Sequence, residues 1–253
     1  MASAESRLGL IYGLTAYIIW GLFPIYFHLL SGITTLQILM HRIIWCFVLL
    51  SVLIFVLKRW SLARAALKST VLRRGLLLSS LLIAANWLIF IWAVSQGRVL
   101  ESSLGYFLTP LVSVFLAHIV LKEPLDGYRW IAIGLALLGV GWQIVQLGHL
   151  PWVSLSLALS FGFYGLVRKQ LPIDSLTGLW SETLFLLPIA VGYWLWLIAQ
   201  GQSQFLSEGH LSTSLLIASG AVTAVPLLLF AMAAQKLTLT TLGFLIYINP
   251  TMQ

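Results

Sequence analysis

Charge is scarce in this chain and cysteine nearly absent. Asp, Glu, Lys and Arg make up 8% of its 253 residues, where soluble folds carry roughly a quarter. With 60% hydrophobic residues, a separate soluble domain is excluded. The single cysteine, Cys46, lies within an apolar run, which excludes an intrachain disulfide and leaves packing as its role. There is no His-Glu-x-x-His, no Cys-x-x-Cys, no Gly-x-x-x-x-Gly-Lys-Ser/Thr and no Gly-x-Ser-x-Gly. The two aspartates, Asp126 and Asp174, fall between apolar runs, so no aspartyl pair acts within them. These absences argue against an enzyme, a resident cofactor or metal, and nucleotide hydrolysis. Movement of a solute would have to be driven by a solute or ion gradient.

What the chain has is long apolar runs. A helix of about 20 residues crosses the hydrocarbon of a bilayer. Runs of that order predict spans near 8–30, 36–57, 75–95, 103–121, 128–147, 150–168, 176–199 and 214–235, with a last one beginning near 240. The expected fold class is all-α, a polytopic transmembrane helix bundle. The first run is too long for the core of a secretory signal and reads as a retained span. The last run stops at Gln253, which reads as a truncated second half with about nine helices of ten.

The net charge of +7 does not point to nucleic acid, because the basic residues sit in short connections and form no basic face. Twelve Lys and Arg fall on one side in alternating connections, Arg98 alone falls on the other, and Arg42 lies inside a span. Positive charge stays on the cytoplasmic side. The expectation is a multi-pass protein of the cytoplasmic membrane with its N-terminus inside.

Weak internal symmetry adds mechanism. Ala93–Pro110 aligns without a gap on Ala233–Pro250, and Trp20-Gly21-Leu22 answers Tyr164-Gly165-Leu166. Five spans per copy is an odd number, so the second copy must enter from the opposite side. The division expected is a first repeat over 1–148 and a second, incomplete one over 149–253, inverted about an axis in the membrane plane. Transporters built this way hold their solute between the repeats near mid-membrane. Close helix approach is offered by Gly9 and Gly13, Gly134 to Gly141, Gly162 to Gly165, and Gly220.

Ionised side chains deep in a span face a partner or a wet cavity. Arg42 and Glu182 qualify, and they stand 140 residues apart, at equivalent positions of the two copies. Each either lines the mouth of a central pathway, with Glu182 able to take up a coupled proton, or makes a structural pair or reaches its own interface. His41 reads as a structural group rather than a proton carrier. Asn86, mid-span, either bonds across helices or meets solute. The inner aromatics Trp20, Tyr106, Tyr164 and Tyr247 fill the bundle core or form a stacking surface for a flat or cationic solute. Pro110 and Pro250 are matched hinge candidates. Glu101 reads as a solvated loop carboxylate or an entrance group.

Several segments resemble the RarD branch of the EamA family, within the drug/metabolite transporter superfamily. They include Ile19-Trp-Gly-Leu-Phe-Pro-Ile-Tyr26, His41-Arg-Ile-Ile-Trp45, Glu101-Ser-Ser-Leu-Gly-Tyr-Phe107, Leu121-Lys-Glu123, Leu157-Ala-Leu-Ser-Phe-Gly-Phe-Tyr-Gly165 and Thr223-Ala-Val-Pro-Leu227. The resemblance runs in order over nearly the whole chain. It implies ten helices in two inverted repeats and secondary transport of small organic solutes, as a permease or exporter. The rival expectation is a membrane component that carries nothing: a scaffold, sensor or assembly subunit.

Overall fold

The computed structural model describes residues 4–148 and 150–252; of Ala4, Arg129, Leu147 and Pro250 only the backbone is described. Among the described residues there are helices and no strands. In chain order they are α1 (Ala4–Gly21), α2 (Phe23–His28), α3 (Thr35–Val56), α4 (Trp60–Lys68), α5 (Thr70–Ser95) and α6 (Val99–Val120). Then follow α7 (Gly127–Leu147), α8 (Trp152–Gln170), α9 (Ser175–Ala199), α10 (Gly209–Lys236), α11 (Leu239–Leu245) and α12 (Ile248–Met252). Six of the described helical stretches are long and apolar enough to cross a membrane, the first being Glu5–His28. The apolar part of α7 is shorter, at Trp130–Gln146. In α8 three serines and the basic pair Arg168–Lys169 dilute the hydropathy. That helix packs inside the bundle against α5 and α6, where its hydroxyls find partners rather than lipid.

The helices start and stop for local reasons. The first apolar run is broken at Leu22, and Pro24 enters in the first turn of α2, where a missing N–H costs nothing. Asp174 caps α9 by accepting from Thr177 N at 3.0 Å, and also takes a 2.9 Å ion pair from Arg59. The last run is split at Ile246–Tyr247 into α11 and α12. The connection expected around 58–74 is itself folded: Trp60–Lys68 makes α4, burying Ala63 and Ala66 and leaving Arg64 and Lys68 outside. Apolar residues three apart among basic ones give that stretch a helical face which a count of its charges does not reveal.

The N-terminus of α11 is held across the fold. Glu123 Oε1 accepts from Leu239 N at 2.9 Å, and Oε2 accepts from Thr240 N at 3.1 Å and Thr240 Oγ1 at 2.8 Å. A carboxylate on the orphan N–H groups of a helix start is the favourable arrangement. Glu123→Ala is expected to cost about 1–2 kcal/mol, read as a lower thermal midpoint of the purified protein, with Glu123→Asp losing less.

Packing follows small residues. A Cβ placed at Gly105 of α6 would lie 3.1 Å from the Cα and the carbonyl oxygen of Ser154 on α8, so these two helices touch backbone to backbone. Gly134, Gly139 and Gly141 of α7 depart from the expectation: nothing lies within 4 Å of them. This helix packs on α6 and turns Leu138, 74% exposed, and Val145 outward. Apolar side chains so exposed suit a lipid solvent rather than water.

The helix pairings come in matched sets. Under the expected division into repeats, α1 with α2, α3, α5 and α6 would correspond to α8, α9, α10, and α11 with α12. The contact of α5 with α8 is answered by α10 with α1, that of α6 with α8 by α12 with α1, and that of α3 with α10 by α9 with α5. Two pairs are self-matched, α3 with α9 and α6 with α11. Pro110 lies in the second of these contacts, its carbonyl oxygen 3.5 Å from where a Cβ on Gly243 would sit. The side chain of Pro250 lies outside the described residues.

Candidate functional site

Deep in the bundle lies a small cavity of about 30 Å³, room for roughly two water molecules. Its lining draws on both parts of the chain. Tyr17, Trp20, Phe23, Arg42, Asn86, Trp87, Phe90 and Tyr106 come from α1 to α6, and Phe161, Ile246 and Asn249 come from the later helices. Four residues singled out in the sequence, Trp20, Arg42, Asn86 and Tyr106, therefore meet here.

Arg42 sits in the second turn of α3 and is 3% exposed. Its Nε donates to Thr223 Oγ1 on α10 at 3.0 Å. Its guanidinium carbon lies 4.8 Å from the Trp87 ring centroid, 5.3 Å from that of Phe27 and 5.6 Å from that of Phe23. Cation–π contacts of this kind offset part of the desolvation of a buried cation. Among the described residues no carboxylate lies within ion-pair distance of it.

Asn86 has its amide hydrogens engaged: Nδ2 donates to Leu157 O at 3.1 Å and Ser160 Oγ at 3.0 Å, both on α8. The residue thus ties α5 to α8 and also lines the cavity. Trp20 packs among Tyr17, Phe161 and Phe230 at centroid distances of 5.5, 5.6 and 5.8 Å. Tyr106 meets Phe90 edge-on at 5.6 Å.

Three predicted residues lie outside the lining. Tyr164 stacks on Phe230 at 5.9 Å, one layer behind the cavity, and its hydroxyl donates to Glu182 Oε2 at 3.4 Å. Glu182 is 1% exposed; it accepts from Ser79 Oγ at 2.5 Å and pairs with Arg168 Nη1 at 3.5 Å. Tyr247 falls in the break before α12, beside Phe107 at 6.1 Å, with no hydrogen-bond partner for its hydroxyl. His41 packs against Phe205 and Trp194, both ring nitrogens unbonded, so ring packing rather than hydrogen bonding holds it.

Three further charges differ from the sequence reading. Glu101 is not a solvated loop carboxylate: it is 6% exposed and paired with Arg98 at 3.0 Å. The i, i+3 spacing of those two residues on one helix face allows the bond. Arg168 and Lys169 were counted as loop charges, but both turn inward. Arg168 joins Glu182, and Lys169 Nζ donates to Leu237 O at 2.6 Å and Ala234 O at 3.2 Å. A cation on the last carbonyls of α10 complements the helix dipole.

Sequence reasoning missed Tyr17, Phe23, Trp87, Phe90, Phe161 and Asn249. A signal existed for some of them. Tyr17, Trp20 and Phe23 repeat every three residues and Asn86 and Phe90 are four apart, the spacing of one helix face. Asn249 follows the break at Ile246–Tyr247, where helical spacing fails, so periodicity could not have placed it.

The EamA-like transporter family matches residues 7–144. An uncharacterized transporter of Vibrio cholerae is 43% identical over 98% of this chain and 82% of its own length. Protein RarD of Escherichia coli is 43% identical over 100% of this chain and 85% of its own. The chloramphenicol-sensitive protein RarD of Pseudomonas aeruginosa is 32% identical over 98% of this chain and 83% of its own. Such identity across the full array of helices identifies the chain as a RarD-like member of the EamA-like transporter family, a multi-pass membrane transporter.

Proposed function

We propose that the protein carries a small organic solute across the cytoplasmic membrane by alternating access, the solute passing through the cavity beside Arg42. One observation carries this reading: four separately nominated residues converge on an enclosed space that both parts of the chain line. The matched helix pairings support a division into inverted repeats over 1–148 and 149–253. Positions 140 residues apart also meet, since Phe107 contacts Tyr247 and Tyr106 shares the cavity with Ile246. Residues beside a pseudo-two-fold axis touch their own equivalents, and a solute held there meets both halves.

The cavity as seen is nearly closed, so its walls must part on one side and then the other. The axial contact of α6 with α11, at Pro110 and Gly243, is where such a rocking motion would turn, with Pro110 and Pro250 as hinges. The bias of basic residues supports an N-terminus inside. A coupled proton, if flux requires one, would be taken up by Glu182, which lies behind Tyr164. A scaffold or sensor subunit has no need of a cavity built around a buried guanidinium, which favours transport over that rival.

The test is flux in proteoliposomes of the purified protein. Expected are gradient-driven movement of a solute pool from cell extract, detected by mass spectrometry, and at least a tenfold loss in Tyr106→Ala with normal insertion, about 1.4 kcal/mol per factor of ten. A sealed, correctly inserted preparation that moves nothing across the extract would sink the reading.

A further inference from the structure

The other buried charges in this protein come in pairs. Among the described residues four charged side chains are buried: Arg42, Glu101, Arg168 and Glu182. Glu101 has Arg98 at 3.0 Å, and Arg168 and Glu182 have each other at 3.5 Å. Arg42 has three aromatic rings and one hydroxyl, none of which bears a countercharge. A guanidinium is costly to bury without an opposite charge, and this one borders the cavity. We infer that the solute of this transporter is a small organic anion with a flat apolar body, whose acid group supplies the missing charge at Arg42; the inference rests on the transport reading above.

The chemistry fits each part of the site. With Nε engaged by Thr223, the terminal nitrogens of the guanidinium remain, and their planar fork matches a carboxylate. Trp20, Tyr106 and Phe161 give aromatic walls for the body of the solute, and Asn86 adds a polar group to fix its orientation. The rings nearest the guanidinium, Phe23, Phe27 and Trp87, are already engaged by Arg42. A cation in this small space would lie against the like charge of Arg42, so the flat or cationic solute expected from the sequence is narrowed to a flat anion.

Binding to the purified full chain, measured by quenching of tryptophan fluorescence, tests this without requiring flux. The probes are benzoate, its neutral isostere benzamide, the cation benzylamine, and acetate, which has the acid but no ring. Expected is benzoate about tenfold or more tighter than benzamide or benzylamine, and tighter than acetate. In Arg42→Gln the preference for benzoate over benzamide falls to about one, and in Arg42→Lys part of it survives. The thermal midpoint of Arg42→Gln without ligand should equal or exceed that of the unaltered protein, because an uncompensated buried charge is removed; a purely structural arginine would lower it. Benzamide or benzylamine binding as tightly as benzoate, no binding of benzoate at all, or a benzoate preference that survives Arg42→Gln would each overturn the assignment. Acetate binding as tightly as benzoate would overturn the flat body. Selective benzoate binding with no transport of any solute would uphold the anion site and overturn the transport reading instead.

Discussion

Glu182→Ala is expected to destabilise the protein by about 3–5 kcal/mol, the cost of leaving a buried charge without its partner. The carboxylate, on α9, holds three groups from two other helices: Ser79 of α5 at 2.5 Å, Tyr164 of α8 at 3.4 Å and Arg168 of α8 at 3.5 Å. Without it, the Arg168 guanidinium has no counter-ion in a place sealed from solvent, since a Cβ at Gly178 would already overlap it. The effect should appear as a large fall in thermal midpoint and in detergent-extracted yield. Removing both charges tests the cause. Glu182→Gln with Arg168→Met should recover a good part of the loss, because replacing a buried pair by neutral groups is often close to neutral. A single mutant as stable as the parent would show that water reaches the pair. A double mutant no better than Glu182→Ala would show that geometry rather than charge holds α5, α8 and α9 together. If Glu182 also carries a proton, the Glu182→Gln protein that remains folded should lose the response of flux to a pH gradient while keeping downhill exchange.

Gly220→Leu is the second change with a large expected effect. At this point α10 crosses α3 so closely that an added Cβ would overlap the backbone of Trp45 and lie 2.7 Å from its Cβ. No rotamer relieves a clash with main chain, so the helices must separate. Forcing extra atoms into a packed interior costs about 1–3 kcal/mol, and the upper end applies where the obstacle is backbone. The displacement also moves Thr223, one turn further along α10, away from Arg42 Nε, now 3.0 Å from its hydroxyl. Loss of stability should therefore be accompanied by loss of ligand binding. Gly192→Leu in α9, where nothing lies within 4 Å, is the matched control and should change neither. Gly220→Leu with an unchanged melting curve would mean that this crossing is looser than the structure has it.

The sequence reached the fold through quantities that need no partner. Hydrocarbon thickness sets a length, so apolar runs counted along the chain located the long helices with ends within about five residues, though not α4. A spacing of 140 residues nominated Arg42 and Glu182 together, and the cost of burying charge marked both as important. Both are indeed buried. Which of them faces a cavity and which an ion pair was not legible, because that depends on what stands opposite. Arg168 illustrates the point. Beside Lys169 at the end of an apolar run it looks like a loop charge, and only the arrival of α9, with Gly178 opposite, turns it inward against Glu182. Trp87 was passed over for the same reason: adjacent residues on a helix point about 100° apart, and only the position of α3 shows that this ring faces Arg42.

Composition and apolar period alone determined that the chain is a polytopic helical membrane protein, because the bilayer imposes length and polarity on each span independently of its neighbours. The identity of the site was decided by tertiary structure. Breaks at Leu22 and Ile246–Tyr247, an asparagine bonded across to α8, and a guanidinium left among rings without a carboxylate arise only where several helices meet, and pairwise distances between separate helices are not written in the spacing along any one of them.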